Sequence, residues 1–134
     1  MKLHPYIGFK GNCEEAMQFY KTILNGNITM QSRFKEAPEG VMQVPEEAKD
    51  LIMHCTLEFD GNIIMGSDTL MEHVTFGNNF SLSINTTEEK AQAYFEKLSE
   101  GGQVLMPFGD AFWGGKFGML SDKFGVQWML SSEH

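Results

Sequence analysis

The 134-residue sequence holds a single arginine, Arg33, among its ten basic residues. A site that grips anions through several guanidinium forks therefore cannot be built from one chain. It holds two cysteines, Cys13 and Cys55, too few for a disulfide scaffold or a zinc knot. Its apolar runs are a few residues long, so no membrane partner is expected. The first ten residues lack the apolar stretch and cleavage site of a signal peptide, and the expected setting is reducing and cytoplasmic. Basic charge is scarce as well. Ten basic against 18 acidic residues leave a net charge of −8, which disfavours a nucleic-acid partner. What the chain does have is 42% hydrophobic residues, enough to bury the core of one domain, and an unusual ten methionines.

An internal repeat organises the chain. Residues 12–26 read NCEEAMQFYKTILNG and residues 87–101 read TEEKAQAYFEKLSEG. At an offset of 75, Ala16 meets Ala91, Phe19-Tyr20 meets Tyr94-Phe95, and Gly26 meets Gly101. Each segment has the spacing of an amphipathic helix. Asn12-x-x-Glu15 and Thr86-x-x-Glu89 read as capping boxes, and Gly26 and Gly101 as left-handed helix ends. A strand-like run precedes each helix, at 5–9 and 80–84, so that Ile7 meets Leu82 at the same offset. Runs at 28–34, 51–59 and 63–67 follow the first helix, and runs at 103–108, 116–120 and 126–130 the second. A second offset, 64, aligns Met65 with Met129. The expected fold is α+β, a single domain of two tandem βαβββ modules at 1–70 and 79–134 joined by a linker at 71–78. One helix cannot cover each sheet alone, so the modules are expected to share one structure, with curved mixed sheets around a cleft.

Segment 35–50 has no counterpart in the second module. It carries two prolines and five acidic against two basic residues, and reads as a solvated loop. A lid and a dimer-edge element are its candidate roles.

Alternation along the strands separates two faces. Ile7, Phe9, Cys55, Leu57, Leu82, Ile84, Trp128 and Leu130 fall on an apolar face suited to the helices. His4, Tyr6, His54, Thr56, Glu58, Met65, Ser67, Asn79, Ser83 and Met129 fall on a mixed face suited to lining a cleft.

Several stretches carry a resemblance: Tyr6-Ile7-Gly8-Phe9 with Gly11-Asn12-Cys13-Glu14-Glu15-Ala16, Met53-His54, Met65-Gly66-Ser67-Asp68, Trp113-Gly114, and Asp122-Lys123-Phe124-Gly125-Val126-Gln127-Trp128. With the paired βαβββ pattern, they resemble the vicinal oxygen chelate superfamily of glyoxalases, dioxygenases and bleomycin-resistance proteins, and within it the PhnB-type branch. The branch has carried phosphonate-operon, glyoxalase-like and 3-demethylubiquinone methyltransferase-like labels. The resemblance also implies a homodimer, assembled edge to edge.

In metal-using relatives, the resemblance places ligands at positions that fall here on His4, Met65, Asn79 and Met129. Two thioethers and an amide do not replace hard carboxylate ligands, so no cofactor is expected and a divalent metal is the weaker alternative. No glycine-rich strand-to-helix loop offers a nucleoside site, which counts against methyl transfer. His54 and Glu58 share a strand face but lie about 13 Å apart at ~3.3 Å per residue, too far for one metal. His54 is the best acid–base candidate, since histidine titrates near working pH. His73 and His134 read as solvated. Cys55 reads as core, and Cys13, although at a helix start, is opposed by Glu14 and Glu15. Asp68 reads as a capping or turn residue, with a ligand role as the alternative.

Two classes of function remain open. A small-molecule binding module would use His4, Tyr6, His54, Met65, Asn79, Trp113 and Met129. An enzyme would use a metal or the His54 base on a small oxygenated substrate, in the manner of a lyase or dioxygenase. A weaker third reading is a regulatory partner acting through loop 35–50.

Overall fold

The computed structural model describes residues 1–70 and 74–133. His73, His134 and part of the expected linker lie outside them. The chain divides into two units, Met1–Val74 and Thr75–His134.

Unit 1 runs β1 (Tyr6–Phe9), α1 (Cys13–Leu24), β2 (Asn27–Arg33), β3 (Ile52–Phe59) and β4 (Asn62–Asp68), with two short 3-10 turns, Phe34–Glu36 and Glu46–Ala48, between β2 and β3. Its sheet has the order β1-β4-β3-β2. β1 lies parallel to β4, and the other pairs are antiparallel. Cys13, Ala16, Met17, Tyr20, Ile23 and Leu24 form the buried stripe of α1. This stripe packs on β3 and β4, over Phe9, Cys55, Leu57 and Ile64. Each large apolar side chain so buried contributes roughly 2 kcal/mol before entropy is counted.

The ends of α1 differ from the sequence expectation. The Asn12 side chain makes no cap hydrogen bond. Asp68 Oδ1 instead accepts from the Gly11 and Cys13 amides, each at 2.9 Å, and its Oδ2 accepts from the Ile52 amide at 2.9 Å. One buried carboxylate thus ties the helix start to two strands. At the other end the left-handed residue is Asn25, with φ 54°, rather than Gly26. Gly26 is required for a different reason: a Cβ there would lie 2.7 Å from the Glu58 carbonyl oxygen.

Unit 2 runs β5 (Leu82–Thr86), α2 (Glu88–Ser99), β6 (Gln103–Asp110), β7 (Lys116–Ser121) and β8 (Gln127–Ser132), with sheet order β5-β8-β7-β6. β5 lies parallel to β8. Ala91, Phe95 and Leu98 of α2 are buried, as are Leu120, Trp128 and Leu130 of the sheet. The cap is Thr87, whose side chain accepts from the Lys90 amide at 3.3 Å, and Thr86 belongs to β5. Asp122 Oδ1 accepts from the Phe124 and Val126 amides, and its Oδ2 accepts from Trp128 Nε1 at 2.9 Å. β6 lies at the sheet edge, contains Pro107, and pairs with β7 through two register shifts.

The helices keep the offset of 75, but the strands do not. Tyr6 lies opposite Met65, whereas Ser83 lies opposite Met129. Matching the two methionines matches Tyr6 with Ser83, an offset of 77. Three residues join β1 to α1, and only Thr87 joins β5 to α2. The position matching His4 is therefore Ser81, not Asn79.

Candidate functional site

The mixed face of the unit 1 sheet gathers several of the sequence candidates. Register places Tyr6, Met65, Thr56 and Met30 in one row across β1, β4, β3 and β2. Tyr6 Oη lies 3.2 Å from His54 Nδ1. The two rings are tilted by 45° with centroids 5.6 Å apart. His54 Nε2 lies 2.7 Å from Thr56 Oγ1. Both imidazole nitrogens are thus held, in a chain Tyr6–His54–Thr56. β4 separates the strands that carry Tyr6 and His54. Strand alternation brings the small Ser67 to this face, two residues beyond Met65, which leaves room for the rings to meet.

The outer end of the chain is open, since Tyr6 is 52% exposed. Across from His54 stands Ser32, whose buried hydroxyl has no hydrogen-bond partner among the described residues. Glu58 is exposed and follows Thr56 on the same face. His4 is half-buried and lies two residues before Tyr6, ahead of the strand. Thr56 is the member of the chain whose role strand alternation could not reveal. Alternation placed it on the face but could not show that His54 turns toward it.

Arg33 and the first amides of α1, which could hold an anion, are already engaged. Arg33 Nη2 pairs with Glu14 Oε2 at 2.7 Å, and Nη1 donates to the Asp50 carbonyl at 2.7 Å. The Arg33 hydrogen bond is the main cause holding the Glu14 carboxyl below its usual range. The Gly11 and Cys13 amides, which would greet a phosphate at the start of α1, are taken by Asp68. That settles the open reading of Asp68: it is a clasp within unit 1. Neither cysteine is set up as a nucleophile. Burial, then the nearby Asp68, pushes the Cys13 thiol far up, and burial raises Cys55 to about 11.

Unit 2 holds the other candidates apart from one another along its own elements. Met129 sits on β8 between Ser83 and Met119. Asn79 is exposed in a bend before β5. Trp113 is at the β6–β7 turn, 59% exposed, edge-on to Phe112 and to Phe117. The Asp110–Lys116 ion pair, at 2.7 Å, closes the base of that turn. Gly115 has φ 72° there, and a Cβ on it would run into the Ser132 carbonyl. The Gly114-Gly115 cluster is thus a hairpin tip, not a strand-to-helix cofactor loop.

The donor set does not fit the divalent metal of the superfamily. Unit 1 offers His4 and Met65 at the implied positions, and unit 2 offers Met129 with Ser81 or Asn79. No carboxylate stands among them, and thioethers are poor ligands for Zn²⁺, Ni²⁺ or Fe²⁺ in such sites. Among the described residues no three His, Cys, Asp or Glu side chains group as a metal site.

Comparison with known proteins places this geometry. The family model for 3-demethylubiquinone-9 3-methyltransferase matches residues 1–131. Protein YjdN of Escherichia coli is 30% identical, over 98% of this chain and 95% of that protein. Protein PA1353 from Pseudomonas aeruginosa is 36% identical, with a TM-score of 0.86 over 99% of this chain and 98% of that one. The structure titled putative 3-demethylubiquinone-9 3-methyltransferase, PhnB protein, from Bacillus cereus is 32% identical, with a TM-score of 0.82 over 98% and 99% of the two chains. The fosfomycin resistance protein FosX from Listeria monocytogenes shares the fold, with a TM-score of 0.68 at 12% identity over 100% of this chain and 93% of that one. The α+β fold of two tandem modules is therefore that of glyoxalases and bleomycin-resistance proteins. The chain belongs to the 3-demethylubiquinone-9 3-methyltransferase family.

Proposed function

We propose that this protein binds a small molecule on the mixed face of the unit 1 sheet, and that neither metal-assisted glyoxalase chemistry nor methyl transfer is its activity. The observation that carries the reading is the Tyr6–His54–Thr56 hydrogen-bonded chain, open to solvent at Tyr6 and set beside Met65. A few fixed polar groups among adaptable apolar ones is the usual make-up of a ligand surface. His4 flanks the same face. Trp113, Asn79 and Met129 are separate ligand-contact candidates on unit 2 itself. The fold relative named for fosfomycin resistance supports a small-molecule role without naming a ligand for this chain.

The test is native mass spectrometry of freshly purified protein, followed by a neutral fragment panel monitored by amide NMR. A co-purified ligand, or fragment shifts centred on Tyr6, Thr56 and Met65, is the expected outcome. Shifts confined to other surfaces, or stoichiometric Zn, Ni or Fe, would overturn it.

A second reading is favoured by His54 itself, whose Nδ1 is oriented by Tyr6 while Nε2 lies 2.7 Å from the Thr56 hydroxyl, within reach for proton transfer. In that case His54→Ala abolishes turnover of a small oxygenated substrate while leaving binding within a few-fold. We also propose a homodimer in a cytoplasmic setting. Among the described residues no helix is long and apolar enough to cross a membrane. Gel filtration at micromolar concentration should show the dimer, and a monomer there would contradict it.

A further inference from the structure

We infer that the unit 1 face takes a positively charged, amine-bearing molecule rather than an anion. The inference rests on the reading of that face as the ligand surface, and it names the chemical class.

The polarity of the hydrogen-bonded chain comes first. A phenol donates more strongly than an aliphatic hydroxyl and accepts more weakly. A neutral imidazole has one N–H. The favoured arrangement therefore has Tyr6 O–H donating to Nδ1 and Nε2–H donating to Thr56 Oγ1. Tyr6 Oη is left with lone pairs and no hydrogen to offer. Its open side accepts from a ligand N–H and does not donate to a ligand anion.

Charge points the same way. Glu58 lies two residues beyond Thr56 on this face, about 7 Å along the strand at ~3.3 Å per residue. It is exposed. The row Tyr6, Met65, Thr56 and Met30 contains no cation. Arg33 is committed to Glu14 and Asp50, and the first amides of α1 to Asp68. The net charge of −8 draws cations and repels anions at long range. The surfaces are also suitable: an aromatic ring attracts an ammonium group, and thioethers adapt to the attached apolar body.

2-Phenylethylamine and phenylphosphonate carry the same ring with opposite charge. Each is titrated into the full ¹⁵N-labelled chain at low salt, and backbone amides are followed. The amine is expected to move the amides of Tyr6, Thr56, Glu58 and Met65 and to bind at least about fivefold more tightly than the phosphonate. Glu58→Gln should weaken the amine about threefold, and Tyr6→Phe about fivefold. Thr56→Val should weaken it as well, and Thr56→Ser, which keeps the hydroxyl, should restore it. The Thr56 variants are made on Ser32→Ala, so that His54 cannot turn to Ser32 instead. Equal or tighter phosphonate binding at these residues, no effect of Glu58→Gln, or no amine shifts at millimolar concentration overturns the inference. If a neutral fragment still binds this face, only the ligand class fails and the binding reading stands.

Discussion

At the scale of single residues, two buried polar side chains in unit 1 make opposite predictions. Asp68 is 2% exposed and accepts three backbone hydrogen bonds, two from the start of α1 and one from β3. Asparagine keeps one oxygen but turns an amino group toward a backbone donor. Asp68→Asn should therefore cost about 3 kcal/mol in urea unfolding, the scale for a buried charged acceptor lost. Ser32 presents the reverse case, a buried hydroxyl with no partner among the described residues. Removing it relieves a desolvation penalty, so Ser32→Ala should raise stability by about 1 kcal/mol, read from the same urea midpoint. The chemistry of His54 depends equally on its immediate partners. Its type and face were readable in advance, but the partner at Nε2 was not, because that bond joins two residues of one strand through a side-chain rotamer.

At the scale of elements, the two helix starts show what local sequence can and cannot reveal. Thr87 caps α2 with its own side chain, so Thr87→Ala should cost about 1 kcal/mol. Asn12→Ala at the matching position of α1 should cost about 0.5 kcal/mol or less, because Asp68 supplies that cap. Thermal or urea unfolding of the pair separates the two cases. The helices themselves were legible from apolar spacing, to within two residues at each end. The succession of strands along the chain was legible from the module pattern, their order in the sheets was not, and Met65 and Met129 do fall on matching strands, each beside the first strand of its unit. The cap was not legible, since Asp68 lies far along the chain from Asn12 and local patterns carry no information about that distance. Nor was the shift from 75 to 77. Two extra residues between β1 and α1 leave the helices aligned and move the strands, so Asn79 took a place that belongs to Ser81. Trp128 was legible as core, and it is 1% exposed with its indole N–H on Asp122.

At the scale of the whole molecule, acidic charge sets the response to pH. Glu14, Asp50 and Asp110 all sit below their ordinary carboxylate values, each mainly through a hydrogen bond to a cation: Arg33, Lys35 and Lys116. A carboxyl lowered in the folded state stabilises the fold above its unfolded value, and that contribution is lost as pH falls through the folded one. These pairs should therefore contribute fully at neutral pH and fade below about pH 4. The partner Lys116 is raised, so its share is lost only as pH climbs past the ordinary lysine range. Unfolding midpoints should drop on acidification more steeply at low salt than at high salt, since these pairs are exposed and screened. Four of the ten methionines show how differently the residue is used. Met17 is fully buried on the inner face of α1, Met30 and Met65 share the candidate face, and Met106 lies exposed on an edge strand. That edge strand, β6, exposes Val104, Leu105 and Met106 together, a sequence that would otherwise invite another chain to add a strand. Pro107 has no amide proton to offer an incoming strand, and the two register shifts bend the edge away from flatness. Backbone pairing by a second copy is disfavoured at Pro107 and at the shifts. Continuous sheet growth of the amyloid kind is opposed there, and Pro107→Val should shorten the lag before thioflavin-positive aggregates form.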